Sequence, residues 1–359
     1  MTLAFMALAF GAVDSSVAEE LYFPPAGSEW KMVAPQDAGF DGDKLDAVLE
    51  FAGKNKSSGV VILWRGRILA EKYWPLERAN GASARYLGGV RGKGAGGRVI
   101  EDVASVQKSL TAVLVGMARE RELVELDKPA ADYLGEGWSQ ASRAQERAIT
   151  ARHLLTMTSG LNDRLGFVAP AGERWSYNST AYSRVRDCVA KASGKSADEF
   201  TREWLTSRIG MNDSSWERRP FAARDPQQNQ LGFATTARDL ARFGLLILGK
   251  GEWSGETLIA DKAYLQEMLA PSQKLNPAYG YLWWLNGQEF ALRGRRRVPG
   301  PTLPDAPLDL VAANGALGRK CWVAPSLDLV VTRLGDQPGN RGFDNQFWKL
   351  LMKASGKSR

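Results

Sequence analysis

The sequence predicts an α+β protein, α/β in its mixing of elements. An antiparallel sheet is built from N- and C-terminal segments and flanked by helices, with a mainly helical lobe inserted between them. Three observations predict it. Strand-type apolar runs cluster near both ends of the chain, helical apolar periodicity dominates the middle, and the 359 residues have the composition of a globular protein, 44% hydrophobic and 24% charged.

In chain order, residues 39–52 open on Asp41 and Asp43 and then place Leu45, Val48, Leu49 and Ala52 at helical spacing. Residues 60–64 and 68–73 are two apolar runs around Arg65-Gly66, the pattern of a β-hairpin. Residues 110–124 read as an apolar-rich helix continuing from Ser105, residues 150–157 as a second helix start, and residues 181–193 as a third. Residues 237–248 form a fourth, with Leu240, Phe243, Gly244 and Ile247 on one face. Residues 280–285, 320–324 and 329–334 are β-type runs, the last two joined by a turn at Pro325-Ser326-Leu327-Asp328. Residues 343–352 close the chain as an amphipathic helix. A sheet and an inserted lobe leave a cleft between them, a common place for a site.

The apolar run from Leu3 to Val13, followed by Ser16-Val17-Ala18, has the small residues of a leader cleavage site, although no Lys or Arg precedes it. Residues 1–18 are therefore read as a signal peptide. An exported protein, periplasmic or extracellular, with one domain over residues 30–355 and no integral membrane span is expected. The run is too short for a bilayer, which takes roughly 20 residues. The net charge of +7 is scattered, apart from Arg293, Arg295, Arg296 and Arg297, and no nucleic-acid motif accompanies it.

Counts of His and Cys prune the chemistry. His153 is the one histidine, and it sits at a predicted helix start, where it reads as a helix-terminal hydrogen bonder. Cys188 and Cys321 are the two cysteines, too far apart for a Cys-x-x-Cys pair and expected to be buried thiols. No metal site and no cofactor is expected. Gly92, Gly94 and Gly97 match a dinucleotide-loop pattern without a convincing strand before it, and a flexible surface loop is expected there. No Gly-x-Ser-x-Gly elbow exists.

A serine nucleophile here needs a base other than histidine. In Ser105-Val106-Gln107-Lys108 the hydroxyl and amine stand three residues apart, on one face of a helix. Burial or a neighbouring cation would leave the amine able to accept a proton. Free backbone N–H groups at the helix start would favour an oxyanion.

The stretch from Ile100 to Thr111 containing this motif resembles the nucleophile segment of class C β-lactamases, penicillin-binding proteins and their esterase and nylon-oligomer-hydrolase relatives. Leu126-Asp127-Lys128-Pro129, the run from Ile149 to Leu161, and the run from Gly232 to Phe243 are similar to later signatures of that family, in the family's order. The resemblance implies a β-lactamase/transpeptidase-like fold. It also implies a second element, Tyr-x-Asn, which Tyr177-Asn178-Ser179 matches with Ser179 at the asparagine position and Asn178 beside it. Tyr177 then shares proton transfer with Lys108, its phenolate favoured by nearby ammonium groups; Tyr182 is the less favoured alternative. The third element, Lys-Thr-Gly in relatives, corresponds to Asn314-Gly315-Ala316, with no lysine; Gly315 or Ala316 would complete the oxyanion hole.

Losing that cation lowers β-lactamase or D-amino-acid peptidase activity and raises esterase or amidase activity on a small-molecule ester or amide. A short stretch between Leu161 and Gly172 implies an open cleft that Trp175, Trp283 and Trp284 would line. The rival reading is a catalytically silent, penicillin-binding-protein-like envelope binding protein. Oligomeric state is not legible.

Overall fold

The computed structural model describes residues 20–219 and 229–356, so the leader expected over residues 1–18 lies outside the described residues. The largest sheet has six strands: β1 (Ser57–Trp64), β2 (Arg67–Tyr73), β3 (Trp284–Leu285), β4 (Val311–Gly315), β5 (Arg319–Ala324) and β6 (Leu329–Gly335). Their spatial order is β2-β1-β6-β5-β4-β3, and every pairing is antiparallel. The first and last strands of the chain are therefore central neighbours, with Val61 opposite Thr332. Residues on one strand alternate between the two faces. Val60 and Ile62 enter a core with Trp322, Phe347 and Trp348, while Val61 and Leu63 enter the larger core on the other side.

Helices cover both faces, which is why β1, β5 and β6 are buried along almost their whole length. The terminal helices Gly42–Lys54 and Phe343–Ser355 pack against each other on one face, and Trp348 meets Trp322 edge-on at 5.8 Å. The first begins where expected because the Asp41 carboxylate accepts the Lys44 N–H at 3.1 Å. On the other face the Ala237–Leu248 helix lies so close that a Cβ on Gly244 would come within 2.4 Å of Val330 and 2.9 Å of the Cys321 sulfur. Both cysteines are buried and unpaired.

The helical lobe forms around the Gln107–Glu120 helix, buried from Gln107 to Ala118. His153 does what its position predicted: its Nδ1 accepts the Thr150 N–H at 3.1 Å, closing a capping box at the start of the Ala151–Leu155 helix. Burial lowers its pKa, which keeps it neutral and able to accept.

Two local expectations are corrected. The glycine-rich stretch is the turn of a hairpin, Val90–Lys93 with Val99–Asp102, held by the Asp213 carboxylate accepting the Ala95 N–H at 2.8 Å. This hairpin extends through Leu231–Thr235 to Ser215–Arg218 in a four-stranded sheet. Second, residues 280–285 contain only the short strand Trp284–Leu285. Leu282 takes a left-handed φ of 59°, and Tyr281 and Leu282 bend away to pair with Met268 and Leu155. Their apolar character serves burial in a turn, with Trp283 wholly enclosed. Among the described residues no helix is long and apolar enough to cross a membrane.

Candidate active site

Ser105 sits in a tight turn, Ala104–Val106, between the strand Val99–Asp102 and the helix Gln107–Glu120. Ala104 has φ 52°, a left-handed conformation that costs an L-residue about 1–2 kcal/mol. The Asp102 carboxylate accepts the Ala104 N–H at 2.8 Å, and the Phe233 carbonyl accepts the Val103 N–H at 2.9 Å. Asp102 is itself clamped by Arg219, through two hydrogen bonds of 2.7 and 2.8 Å. Burial opposes its ionisation, but Arg219 outweighs this and holds the carboxyl below its usual range.

Lys108 follows one helical turn later. Its Nζ donates to Ser105 Oγ at 2.9 Å and to Ser179 Oγ at 3.2 Å. It lies between two aromatic faces, 4.8 Å from the ring centre of Tyr177 and 4.2 Å from that of Tyr182. Burial first, and the Arg219 charge second, lower its pKa to about 7. At neutral pH a large fraction of the amine is therefore unprotonated.

Tyr177 differs from expectation. Burial raises its phenol well above the ordinary value, and a hydrogen bond with Ser105 only partly opposes this. Burial dominates, and the phenol stays protonated. The ring is fixed by Trp284, stacked at 5.9 Å, and by Tyr279, edge-on at 6.2 Å. Tyr182 is fully buried; its hydroxyl accepts from Asn229 Nδ2 at 2.8 Å.

Asn178 is corrected as a substrate contact. It is 2% exposed and turned into its own loop, its amide donating to the Leu161 and Asn162 carbonyls and its oxygen accepting the Thr180 and Ala181 N–H groups. Ser179 alone of this pair reaches the cleft.

At the end of β4, Asn314, Gly315 and Ala316 line a cavity of about 500 Å³ together with Ser105, Tyr177 and Trp284. A Cβ on Gly315 would sit 2.4 Å from the Val103 carbonyl, so only glycine lets the strand approach the Ser105 turn. Asn314 Oδ1 is buried and has no hydrogen-bond partner among the described residues. A second cavity of about 410 Å³ lies beside the first, lined by Ser105, Lys108, Ser179 and Ala316. Ser105 and Ala316 belong to both walls and stand between the two. Of the three tryptophans expected in the cleft, Trp284 lines it, while Trp283 lies in the core and Trp175 buttresses Tyr177 and Trp284 from behind.

Sequence reasoning missed Asp102 and Arg219. Asp102 stands three residues before Ser105, a turn-forming position that is a usable signal. Nothing in the sequence around Arg219 announces that it pairs with Asp102 beside the Ser105 turn. Among the described residues no group of three or more His, Cys, Asp or Glu can hold a metal ion.

The fold is shared with solved structures at low sequence identity. A candidate beta-lactamase from Bacteroides dorei DSM 17855 is 17% identical, with a TM-score of 0.66 over 89% of this chain and 100% of its own. A candidate 6-aminohexanoate-dimer hydrolase from Bacillus anthracis is 16% identical, with a TM-score of 0.66 over 94% and 90%. A hydrolase with promiscuous acyltransferase activity is 14% identical, with a TM-score of 0.63 over 90% and 99%. No curated protein matches the sequence. The family model described as Beta-lactamase matches residues 49–351, and the chain belongs to that family.

Proposed function

We propose that this protein is a serine hydrolase that cleaves a small ester or amide through an acyl-enzyme on Ser105. The observation that carries this reading is the 2.9 Å contact between Ser105 Oγ and a buried lysine amine with a pKa of about 7. In its neutral form the Lys108 nitrogen takes the hydroxyl proton as Oγ bonds to the substrate carbonyl carbon. The oxyanion formed is held by the Ser105 N–H and by that of Ala316, the residue of the pair at β4 that borders both cavities. When the bond to the leaving oxygen or nitrogen breaks, the protonated phenol of Tyr177 supplies its proton, and the Lys108 ammonium restores the phenol. Water, deprotonated by Lys108, then attacks the acyl-enzyme and returns Ser105 to its hydroxyl form.

Ester or small amide is favoured over β-lactam because Asn314 replaces the lysine expected in the third element. A relative in fold is described as a hydrolase with promiscuous acyltransferase activity, and another as a candidate 6-aminohexanoate-dimer hydrolase. Export from the cell remains part of the proposal, on the leader-like residues before Glu19.

The test is a fluorophosphonate probe followed by peptide mapping, together with turnover of short-chain nitrophenyl esters, nitrocefin and small amides. A covalent adduct on Ser105 and hydrolysis of at least one ester or amide, both lost in Ser105→Ala, are the expected results. A folded protein with no adduct and no turnover would instead be the silent binding protein.

A further inference from the structure

Among the described residues, the cavity on the Lys108 side of Ser105 is lined by Arg85, Arg91, Arg219 and Arg319, and the one acidic residue of that lining is Asp102. Three of these guanidinium groups are fixed from behind. Arg219 is clamped by Asp102. Arg91 pairs with Glu217 through Nε at 2.9 Å. Arg319 donates through Nε to the fully buried Glu101 at 2.9 Å. Each carboxylate thus orients its arginine. The remaining donors are not all used: Nη2 of Arg319, a residue 3% exposed, has no hydrogen-bond partner among the described residues. It lies against the cavity lining at Gly89, where a Cβ would be 3.2 Å away. Arg85 is exposed and makes no ion pair with any described residue. The described lining therefore carries a surplus of positive charge and of guanidinium N–H donors.

The direction of acyl transfer says which part of a substrate enters it. Tyr177, the proton donor to the leaving atom, lines only the other cavity, the one with Trp284 and Asn314. The leaving group departs on that side, so the acyl chain extends past Lys108 and Ser179 into the arginine-lined cavity. We infer that this cavity is an acyl-group subsite for a chain ending in an anion, so that the preferred substrates are esters or amides of a short dicarboxylic acid. The inference rests on acyl transfer at Ser105. It relocates recognition of a negative charge from the third element, where the lysine is missing, to the opposite side of the nucleophile.

Two nitrophenyl esters matched in chain length test it on the full-length protein: mono-4-nitrophenyl adipate, which carries a free carboxylate, and 4-nitrophenyl hexanoate, which does not. The expected kcat/KM ratio of adipate to hexanoate is about tenfold or more at low salt, falling as salt screens the charges. Arg85→Gln, on an exposed side chain with no ion-pair partner among the described residues, is expected to cut that ratio several-fold, and Arg91→Gln likewise. Hexanoate cleaved as well as adipate, or a ratio that neither variant moves, would overturn the anionic subsite while leaving the hydrolase reading intact. Failure of both esters, with no probe adduct on Ser105, would overturn the acyl-transfer reading and the subsite with it.

Discussion

The Lys108 amine reaches the Ser105 hydroxyl at 2.9 Å from a side chain that is only 3% exposed. As the proposed base, this amine must be uncharged to work, and its pKa of about 7 sets when that is so. Activity is therefore expected to rise with pH through about 7 and to fall roughly tenfold per unit below it. Because the Tyr177 phenol is raised rather than lowered, no second loss follows on the moderately alkaline side. A kcat/KM profile from pH 5 to 9 that stays flat would disprove the lysine assignment.

The same burial has a cost in stability. The unfolded chain binds a proton on Lys108 up to its ordinary value near 10.5, the folded chain only up to about 7. Stability from this group accordingly increases with pH between those values and is at its poorest below 7. Lys108→Met, which removes the charge and keeps the bulk, is expected to stabilise the fold by up to about 5 kcal/mol near pH 6, and by less at pH 9. Urea titrations at the two pH values check this, and an equal effect at both would contradict the titration argument. Turnover should vanish in the same variant.

Neighbours in sequence separate cleanly in role at Asn178 and Ser179. Asn178 satisfies four backbone groups in the loop carrying Tyr177, so Asn178→Ala is expected to cost about 2–4 kcal/mol of stability. Ser179→Ala removes the 3.2 Å contact that aims the amine, with a loss of roughly tenfold in kcat and little change in melting temperature. Reversal of these two outcomes would reverse the assignment.

Gly244 gives a prediction against helix propensity. Alanine is the better helix former by about 1 kcal/mol. Here its methyl would meet Val330 at 2.4 Å, and overpacking of this kind costs about 1–3 kcal/mol. Gly244→Ala is expected to lower the melting temperature, and a gain would show that the helix can lift off the sheet.

Much of this architecture was legible in the chain. Apolar runs at β1, β5 and β6 and caps at Asp41 and Thr150 are local signals, and the structure uses each of them. Residues 280–285 misled because burial alone makes Tyr281 and Trp283 apolar, whatever the backbone does. The motif Ser105 to Lys108 was readable because three-residue spacing on a helix fixes its geometry. Whether Asn178 or Ser179 faced the cleft was open because a loop has no period. The protonation state of Tyr177 depends on how deeply its phenol is buried, which no local sequence pattern records. Arg85, Arg91, Arg219 and Arg319 come from four separate stretches, and no spacing rule joins them.

Pairing of β1 with β6 means that the central ladder joins segments made early and late in translation. On a ribosome, Ser105 emerges about 200 residues before Gly315, so an unfinished polypeptide carries the hydroxyl without its opposite wall. On the proposed mechanism, reactivity is expected only once Gly315 and Ala316 are in place. A nick at the exposed tip of the hairpin Phe290–Arg293 and Arg296–Pro299 would leave two fragments, each silent, whose reassociation through that ladder should restore cleavage.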